Sequence, residues 1–568
     1  MGGKTENHES APKDAAADDA TTPQIAALAP MENGWRLWVT VVALCLGLLL
    51  STLETTIIAT ALIPISSSLG EFDKSNWVVV SYLLTYTGFL IIFARCSDIF
   101  GRKPMWLVAL FLFTTFSLAC GLSQTMNQLI IFRAFQGLGG AGIYSLAMAV
   151  ITEIPPPQAF GIVSGLLGAV FATSSAVGPI LGGVITSNVS WRWVFLLNVP
   201  AGGAIILVAL WIFPKSPVRV KISLRSFARI DWPGSVLSLA GSILLIFALE
   251  EGGTQFPWNH AIIITTISLS GVCWLAFIAV QAFLDSRYSS KWPMLPIFPA
   301  SLVTHRVIAA SILTAFLVGF PFMGTIIFLP QRFQLQNNLS PVDAGIRMLA
   351  LLLLSAFGSG FGGFLGAKKN FSFYVLVGSI GLQLIGLGLM STLPDTGDIP
   401  HIQYFYQAIL GLGFGLALSS TIIVSRMEVD AADHAVTMGA ITQVRVLGGS
   451  IGIAICQAIL SSRVRHDLRQ TLSKQQLADL LKSTSTIATL TPDQQRATSQ
   501  AYGRGFKLQT IVLLGFAGAS LLTSLLVFKR HAHSWDARDT EKQDGAPRLN
   551  AEVESPPDSP PDPGGKYS

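Results

Sequence analysis

The sequence predicts an all-α protein that crosses a membrane many times. Of its 568 residues, 51% are hydrophobic and 12% are charged, whereas a soluble protein carries about 25% charged residues. The apolar residues are gathered into long runs of roughly 20, the length at which an α-helix crosses the hydrocarbon core of a bilayer. The 52 glycines are typical of membrane helices that pack closely. Together these observations predict a polytopic membrane protein.

About fourteen apolar runs follow one another, and an even number returns the C-terminus to the side of the N-terminus. They lie at 37–62, 77–97, 104–122, 128–151, 160–186, 194–213, 232–250, 261–284, 306–330, 343–366, 372–392, 402–424, 436–460 and 507–528. Lys and Arg are concentrated in alternate connections, such as those around Lys103, Arg225 and Lys369. By the positive-inside rule, these connections and both termini are expected in the cytoplasm. The plasma membrane is the expected location, with the vacuolar membrane as the alternative.

Composition marks two polar tails, and a weak repeat between the halves divides the apolar region into two bundles and a linker. The expected parts are a disordered cytoplasmic tail at 1–35, an N-terminal six-helix bundle at 36–213, a linker with two additional transmembrane helices at 214–300, a C-terminal six-helix bundle at 301–530 that includes an outer loop at 461–506, and a disordered cytoplasmic tail at 531–568. The tails are too polar to bury a core. Within the outer loop, the spacing of Val464, Leu468 and Leu472, and later of Leu477, Leu480 and Leu481, predicts a short amphipathic helix on the outer surface.

Two stretches of the first half recur weakly in the second half. Residues 362–370 (GGFLGAKKN) join two apolar runs through Gly and Lys, as residues 94–103 do, and 448–455 (GGSIGIAI) echo 178–185 (GPILGGVI). Parallel repeats of six spans are found in one large transporter architecture. Coincidence among Gly-rich apolar helices is the alternative explanation.

A charged segment, Ala94–Lys103 (ARCSDIFGRK), separates the second and third apolar runs. It is interpreted as a short cytoplasmic turn in which Gly101 permits a tight bend. Its charged residues and Gly101 are expected to latch the two bundles when the protein is closed on the inside: Arg95, Asp98, Gly101, Arg102 and Lys103. The alternative is that these charges only set the topology.

Two ionisable residues interrupt apolar runs, Glu54 in the first and Arg133 in the fourth. A charge in the middle of a span costs about 2.5–3.5 kcal/mol on insertion scales, so such residues usually face a cavity or a partner. Glu54 is therefore a candidate proton carrier, and Arg133 is expected to need a carboxylate or carbonyl partner. The alternative is that both lie near span ends and reach the headgroups. Gln136 lies on nearly the same helix face as Arg133.

The fifth run contains a proline among glycines, namely Gly178, Pro179, Gly182 and Gly183. Pro removes a backbone hydrogen bond and kinks a helix, while Gly permits close packing. This segment is a candidate hinge between two conformations; a static kink is the alternative.

Other polar residues occur within the spans. Gln136, Gln383, Gln407, Gln443 and Arg445 are candidates for lining a substrate cavity, or they bond across helices. Asn188 and Asn338 begin glycosylation sequons that are predicted to face outside.

The sequence offers little for a cofactor, a metal or an enzyme. Gly137, Gly139 and Gly142 match a dinucleotide-binding pattern, but no strand precedes them. The five cysteines are scattered without metal-ligand spacing and are expected to be packing residues. Neither a cofactor nor a bound metal nor a nucleic-acid partner is expected. A membrane-embedded enzyme would need clustered His, Asp or Cys residues, which are not found, so no enzymatic activity is expected.

These segments together resemble the major facilitator superfamily, and within it the fourteen-span drug:proton antiporter branch. ARCSDIFGRK resembles the family's loop motif between the second and third spans, although Ala94 stands where Gly is usual. RAFQGLGGAG (133–142) is similar to the fourth-span motif, and SAVGPILGG (175–183) to the fifth-span antiporter motif. LETTIIATALIPI (53–65) resembles the first-span signature, with Glu54 where Asp is common.

The resemblance implies two six-helix bundles with two inserted helices and alternating access. It implies a role in proton coupling for Arg133, with the corresponding role of Glu54 carried over from an Asp position. The overall pattern is similar to fungal efflux pumps for toxins, drugs and secondary metabolites. The expected partners are a small-molecule substrate, protons and the lipid bilayer, and a monomer is expected. The alternative is an importer, or a vacuolar carrier of basic amino acids or iron chelates, with the same fold.

Overall fold

The computed structural model describes residues 34–154, 160–213, 231–252, 256–285, 296, 304–368, 371–395, 399–428, 434–482 and 484–528. Regular structure in these residues is helical, apart from one isolated bridge between Gly252 and Phe256. The predicted disordered tails lie almost entirely outside them.

The apolar runs are helical over nearly their whole length, with breaks inside runs at Leu197 and Met348. The first group consists of α1 (Trp35–Leu69), a 3₁₀ turn (Phe72–Lys74), α2 (Ser75–Phe100), α3 (Arg102–Leu122), α4 (Met126–Glu153), α5 (Phe160–Asn188), α6 (Trp193–Leu196) and α7 (Asn198–Ile212). The next two are α8 (Trp232–Glu251) and α9 (Ala261–Asp285). The last group consists of α10 (Arg306–Leu335), α11 (Pro341–Arg347), α12 (Leu349–Lys368), α13 (Ser372–Ser391), α14 (Ile402–Glu428), α15 (His434–Leu468), α16 (Lys474–Lys482), a 3₁₀ segment (Thr484–Thr489) and α17 (Pro492–Leu525).

Many of these helices are long and apolar enough to span a bilayer. Within the described residues, 11 helices meet this requirement, or up to 12 if the pair Pro341–Arg347 and Leu349–Gly363, bent by 41°, is one span. Helices α2 and α5, of 26 and 29 residues, pack among them. The all-α, polytopic fold class is confirmed, while the figure of about fourteen spans stays a prediction.

The helices pack as two bundles. In the first bundle α1 contacts α4, α5 and α7, and α4 contacts α2 and α3. In the second, α10 contacts α14, α15 and α17, and α13 contacts α14 and α17. Helices α8 and α9 pack on each other, and α8 also contacts both α2 and α15, so this inserted pair lies at the seam between the bundles. The predicted part boundaries at 36–213, 214–300 and 301–530 stay predictions.

The bundles touch backbone to backbone at the end where α1 terminates, which we call the Leu69 end. A Cβ atom added to Gly345 on α11 would lie 2.6 Å from the carbonyl oxygen of Pro179 on α5. A Cβ atom added to Gly183 on α5 would lie 2.6 Å from the carbonyl oxygen of Pro341. Real Cβ contacts do not come this close, so only glycine fits at both positions. The bundles are therefore closed against each other at the Leu69 end.

The charged turn is shorter than the sequence predicts. Helix α2 continues through Phe100 and α3 begins at Arg102, so only Gly101 separates them. Gly101 has φ 94° and ψ 150°, a conformation that other residues rarely adopt. The prediction of a turn from residue 94 was wrong because charged residues at a helix end do not stop the helix; the glycine does.

The predicted outer loop at 461–506 is also largely helical. Helix α15 runs through Leu468, and α17 begins at Pro492 behind a capping box made by Thr491 and Gln494. The expected short amphipathic helix is present as α16, but Leu480 is fully buried against the protein and does not lie on a membrane surface. The prediction of a loop was wrong because hydropathy detects only the apolar part of a helix. The polar ends of α15 and α17 were therefore assigned to the loop.

Candidate functional site

A buried ion pair joins the two ionisable residues that interrupt the apolar runs. The Nη1 atom of Arg133 on α4 donates to Oε1 of Glu54 on α1 at 2.5 Å. The Glu54 side chain is 1% exposed and the Arg133 side chain 0%. Both side chains are buried inside the first bundle, so the alternative that they extend out to the headgroups does not fit this structure. The structure thus provides the carboxylate partner that Arg133 was expected to need.

Arg133 has further partners that do not depend on Glu54. Its Nε atom donates to the carbonyl oxygen of Val78 on α2 at 2.9 Å, and Nη1 also donates to Oε1 of Gln136 at 2.8 Å. The guanidinium carbon lies 4.3 Å from the centre of the Tyr82 ring, a cation–π distance. Arg133 is therefore held by α2 and by its own helix even without the carboxylate.

Glu54 has a second donor on another helix. The Nδ2 atom of Asn198, at the start of α7, donates to Oε2 of Glu54 at 2.7 Å. Gln136 in turn donates to the Ser117 hydroxyl on α3 at 2.7 Å. The cluster of Glu54, Arg133, Gln136, Asn198 and Ser117, which we call the charge cluster, joins α1, α3, α4 and α7 within the first bundle. Both carboxylate oxygens of Glu54 are occupied.

Glycines on α4 allow the helices to approach closely enough for these contacts. A Cβ atom on Gly139 would lie 2.7 Å from the Cα atom of Phe113 on α3. A Cβ atom on Gly142 would lie 2.5 Å from the Cβ atom of Ala109 on α3. The glycines that resemble a dinucleotide motif thus serve helix packing.

The candidate hinge lies beside the charge cluster on the next helix. The hydroxyl of Thr56 on α1 donates to the carbonyl oxygen of Ser174 on α5 at 2.9 Å. The hydroxyl of Thr60 donates to the carbonyl oxygen of Pro179 at 2.9 Å. This carbonyl is the one on which Gly345 of the second bundle packs. Helix α5 is continuous through Pro179, and hinge motion at Gly178, Pro179, Gly182 and Gly183 stays a prediction.

The short turn after α2 makes contacts inside the first bundle. Arg102 is buried and its Nη1 atom donates to the Ser97 hydroxyl. The Nζ atom of Lys103 donates to the carbonyl oxygens of Leu210 and Phe213, at 2.9 and 3.3 Å, at the end of α7. Cations are stabilised at a helix C-terminus. A latch between the bundles stays a prediction, and the side chains of Arg95 and Asp98 lie outside the described residues.

The predicted cavity residues separate into two groups. Gln136 belongs to the charge cluster, and Gln383 and Gln407 are fully buried inside the second bundle, where Gln383 donates to the carbonyl oxygen of Gly413 at 3.2 Å. Gln383 thus bonds across helices, and the cavity-lining role of all three residues stays a prediction. Gln443 and Arg445 on α15 are half-buried, and their lining role stays a prediction. Asn188 and Asn338 are both exposed, and their glycosylation also stays a prediction.

The second bundle has a neutral counterpart of the charge cluster. RAFQGLGG (133–140) on α4 aligns with QAILGLGF (407–414) on α14, and Gly413 packs on the backbone of Gln383 as Gly139 packs on that of Phe113. Gln407 then takes the place of Arg133, and Leu410 that of Gln136. Leu410 lines a cavity of about 30 Å³ whose other walls include Thr325, Arg332 and Gln509. We call this the Leu410 cavity.

Sequence reasoning missed two members of the charge cluster, Asn198 and Ser117, and two groups that hold Arg133. Asn198 is the one polar residue of the apolar run 194–213, and that polarity could have found it, whereas Ser117 follows two threonines in its run and stands out less. Tyr82 and the Val78 carbonyl carry no such signal, because an aromatic residue and a backbone group in an apolar span look like packing.

Comparisons with known proteins agree with this architecture. Residues 44–453 match the sequence pattern of the Major Facilitator Superfamily. The chain is 44% identical to the MFS-type transporter FPY5 of Fusarium mangiferae over 532 residues, covering 92% of this chain and 88% of that one. It is 31% identical to the MFS-type efflux pump LUC4 of Fusarium sp, covering 95% and 97%.

A solved structure shares the fold at low sequence identity. It is a bacterial homologue of the human lysosomal transporter Spinster, in an inward-facing and unoccupied conformation. The TM-score is 0.60 at 16% identity, covering 88% of this chain and 100% of that one. From the match over 44–453 and the identity to these relatives, the chain belongs to the Major Facilitator Superfamily and is a membrane transporter.

Proposed function

We propose that this transporter is a proton-coupled exporter of amphipathic small molecules. The observation that supports this most strongly is the Glu54–Arg133 pair, buried inside spanning helices. Charged groups are rare and costly there, and those that persist mark ion and substrate pathways. The names of relatives such as the efflux pump LUC4 support export as the direction. The carried molecule moves across by alternating access between the two bundles.

Protonation of Glu54 is the proposed coupling step. In the charged state the carboxylate accepts hydrogen bonds from Arg133 and Asn198. A proton on Glu54 removes the negative charge that holds α1 to α4. Arg133 keeps the Val78 carbonyl, Gln136 and the Tyr82 ring as partners. Helix α1 is therefore the element that protonation releases.

The release of α1 acts at the seam between the bundles. Thr60 lies on α1 beyond Glu54 and donates to the Pro179 carbonyl oxygen. The same carbonyl contacts Gly345 of the second bundle. A shift of α1 thus moves the part of α5 that closes the Leu69 end, which the distribution of basic residues assigns to the outside. One proton crossing 100 mV supplies about 2.3 kcal/mol, enough to bias such an equilibrium without ATP.

The test begins by identifying the cargo. A strain that lacks the gene is compared with its parent for molecules missing from the culture medium and for altered toxin sensitivity. The identified molecule then serves as cargo in inside-out vesicles under an imposed pH gradient. Accumulation inside the vesicles supports export, whereas loss of preloaded cargo supports the importer alternative.

The Glu54→Gln variant tests the coupling. We expect it to lose pH-driven accumulation but to keep gradient-free exchange of the cargo, because the amide still occupies the site without carrying a proton. Glu251→Gln is the matched control. It removes a carboxylate at the C-terminal end of α8 that accepts a hydrogen bond from the Trp77 indole and lies outside the charge cluster. Unchanged accumulation in Glu54→Gln would remove this residue from the mechanism.

A further inference from the structure

A proline inside α1 leaves one backbone carbonyl without its helical donor. In an α-helix each carbonyl oxygen accepts the N–H four residues later, and for Thr60 that residue is Pro64, which has no N–H. Helix α1 nevertheless continues to Leu69. Thr60 is fully buried, and an unsatisfied carbonyl is costly at such a position. The Thr60 carbonyl oxygen therefore needs a donor from outside its own helix.

The donor comes from the other bundle. The Nε2 atom of Gln334 on α10 donates to the Thr60 carbonyl oxygen at 3.4 Å, which is a long hydrogen bond. Gln334 is buried as well, and α1 and α10 pack against each other across the seam between the bundles. A side-chain amide of the second bundle thus stands in for the N–H that Pro64 lacks.

Thr60 connects this hydrogen bond to the other contacts that close the Leu69 end. Its hydroxyl donates to the Pro179 carbonyl oxygen at 2.9 Å, and Gly345 of the second bundle packs on that same carbonyl. Thr60 also lies on the same helix as Glu54, about 9 Å farther along its axis. Helix α1, helix α5 and the second bundle therefore meet at this one residue.

We infer that Gln334 is a gating residue, and that its hydrogen bond to the Thr60 carbonyl holds the transporter closed at the Leu69 end. When the bundles part there, the amide and the carbonyl separate, and water replaces the amide as the donor. Only the closed state depends on Gln334, because only there is the freed carbonyl shut away from water. The inference rests on the alternating access of the proposed function, but on neither the proton nor the direction of transport.

A double-mutant cycle in the full-length protein tests this gate. The readout is the ratio of molecules open at the Leu69 end to molecules closed there. It is obtained from distances between spin labels at Ser187→Cys and Lys474→Cys, in a Cys273→Ser background. Gln334→Met removes the donor with little change in volume. It should raise the ratio by about 2- to 10-fold, the effect of one hydrogen bond.

The second arm of the cycle restores the missing donor. Pro64→Ala supplies an N–H to the Thr60 carbonyl within its own helix, so Gln334→Met should change the ratio by less than about twofold in that background. Gln331→Met is the matched control. Gln331 lies on the same helix and is equally buried, and among the described residues its Nε2 atom has no hydrogen-bond partner. Its replacement should leave the ratio unchanged in both backgrounds.

Three outcomes would overturn the inference. They are an unchanged ratio in a well-folded Gln334→Met protein, an equally large rise in the Pro64→Ala background, which would show a packing role, and the same rise in Gln331→Met. Gln334→Asn keeps the amide but withdraws it by one methylene group. It should also raise the ratio, and it replaces the methionine variant if that protein folds poorly. Failure of the proposed function is distinguishable, because absent pH-driven transport would leave the Pro64-dependent shift intact.

Discussion

Replacing Gly345 with alanine should weaken closure at the Leu69 end. The new Cβ atom would lie 2.6 Å from the Pro179 carbonyl oxygen, 2.9 Å from its carbon and 3.2 Å from the Ile180 nitrogen. These are backbone atoms, so no side chain can rotate away, and α5 and α11 must separate by about 0.8 Å to reach ordinary contact at 3.4 Å. Overpacking of this kind costs about 1–3 kcal/mol. This contact exists only in the closed state. The ratio of molecules open at the Leu69 end to molecules closed there should therefore rise by about 5- to 150-fold.

Distance measurement between spin labels would detect this shift. Labels at Ser187→Cys and Lys474→Cys report on exposed positions of the two bundles at the Leu69 end, with Cys273→Ser to remove the one described cysteine that is not buried. Gly345→Ala should add a longer-distance population. Gly360→Ala on α12 is the matched control, since its Cβ atom would meet nothing within 4 Å. An unchanged distance distribution in a well-folded Gly345→Ala protein would refute the assignment of this contact as the closure point.

Two further predictions concern stability. Gly101→Ala should destabilise the protein by about 1–3 kcal/mol, because φ is 94° at this junction between α2 and α3. The melting temperature in detergent should therefore fall. Gly203→Ala is the control and should leave the melting temperature nearly unchanged, because an added Cβ atom there meets open space and φ is not positive. Thr491→Ala should cost about 1 kcal/mol by removing the capping box of α17; faster hydrogen exchange in the first turn of α17 would show the loss, and unaltered exchange there would contradict it.

The sequence predicted the helices better than the contacts between them. Apolar runs located the spanning helices because lipid demands both length and hydrophobicity. It also marked Glu54 and Arg133, because a charge inside a span stands out against its neighbours. Their pairing across 79 positions of sequence was expected only in kind, since Arg133 was predicted to need a carboxylate or carbonyl partner without that partner being identified. The Asn198 contact to Glu54 spans 144 positions and could not be found without the fold.

The errors had a common physical origin. Hydropathy measures transfer into lipid, so it ends a helix at the membrane boundary, whereas α15 and α17 continue beyond it as polar helices. Polarity inside a span does not by itself distinguish a cavity wall from a bond across helices, and only the structure shows that Gln383 donates to the Gly413 carbonyl oxygen on a neighbouring helix. Gly345 was not singled out at all, because the importance of a glycine depends on which backbone approaches it.

The Leu410 cavity has a practical consequence. Where the first bundle has Gln136, the second bundle has Leu410 beside empty volume. A void of about 30 Å³ represents about 0.7 kcal/mol of forgone stability. Larger apolar side chains at positions that line this cavity are therefore the first substitutions to test for thermostable variants. The cavity lies in the second bundle, so filling it leaves Glu54 and Arg133 of the first bundle undisturbed.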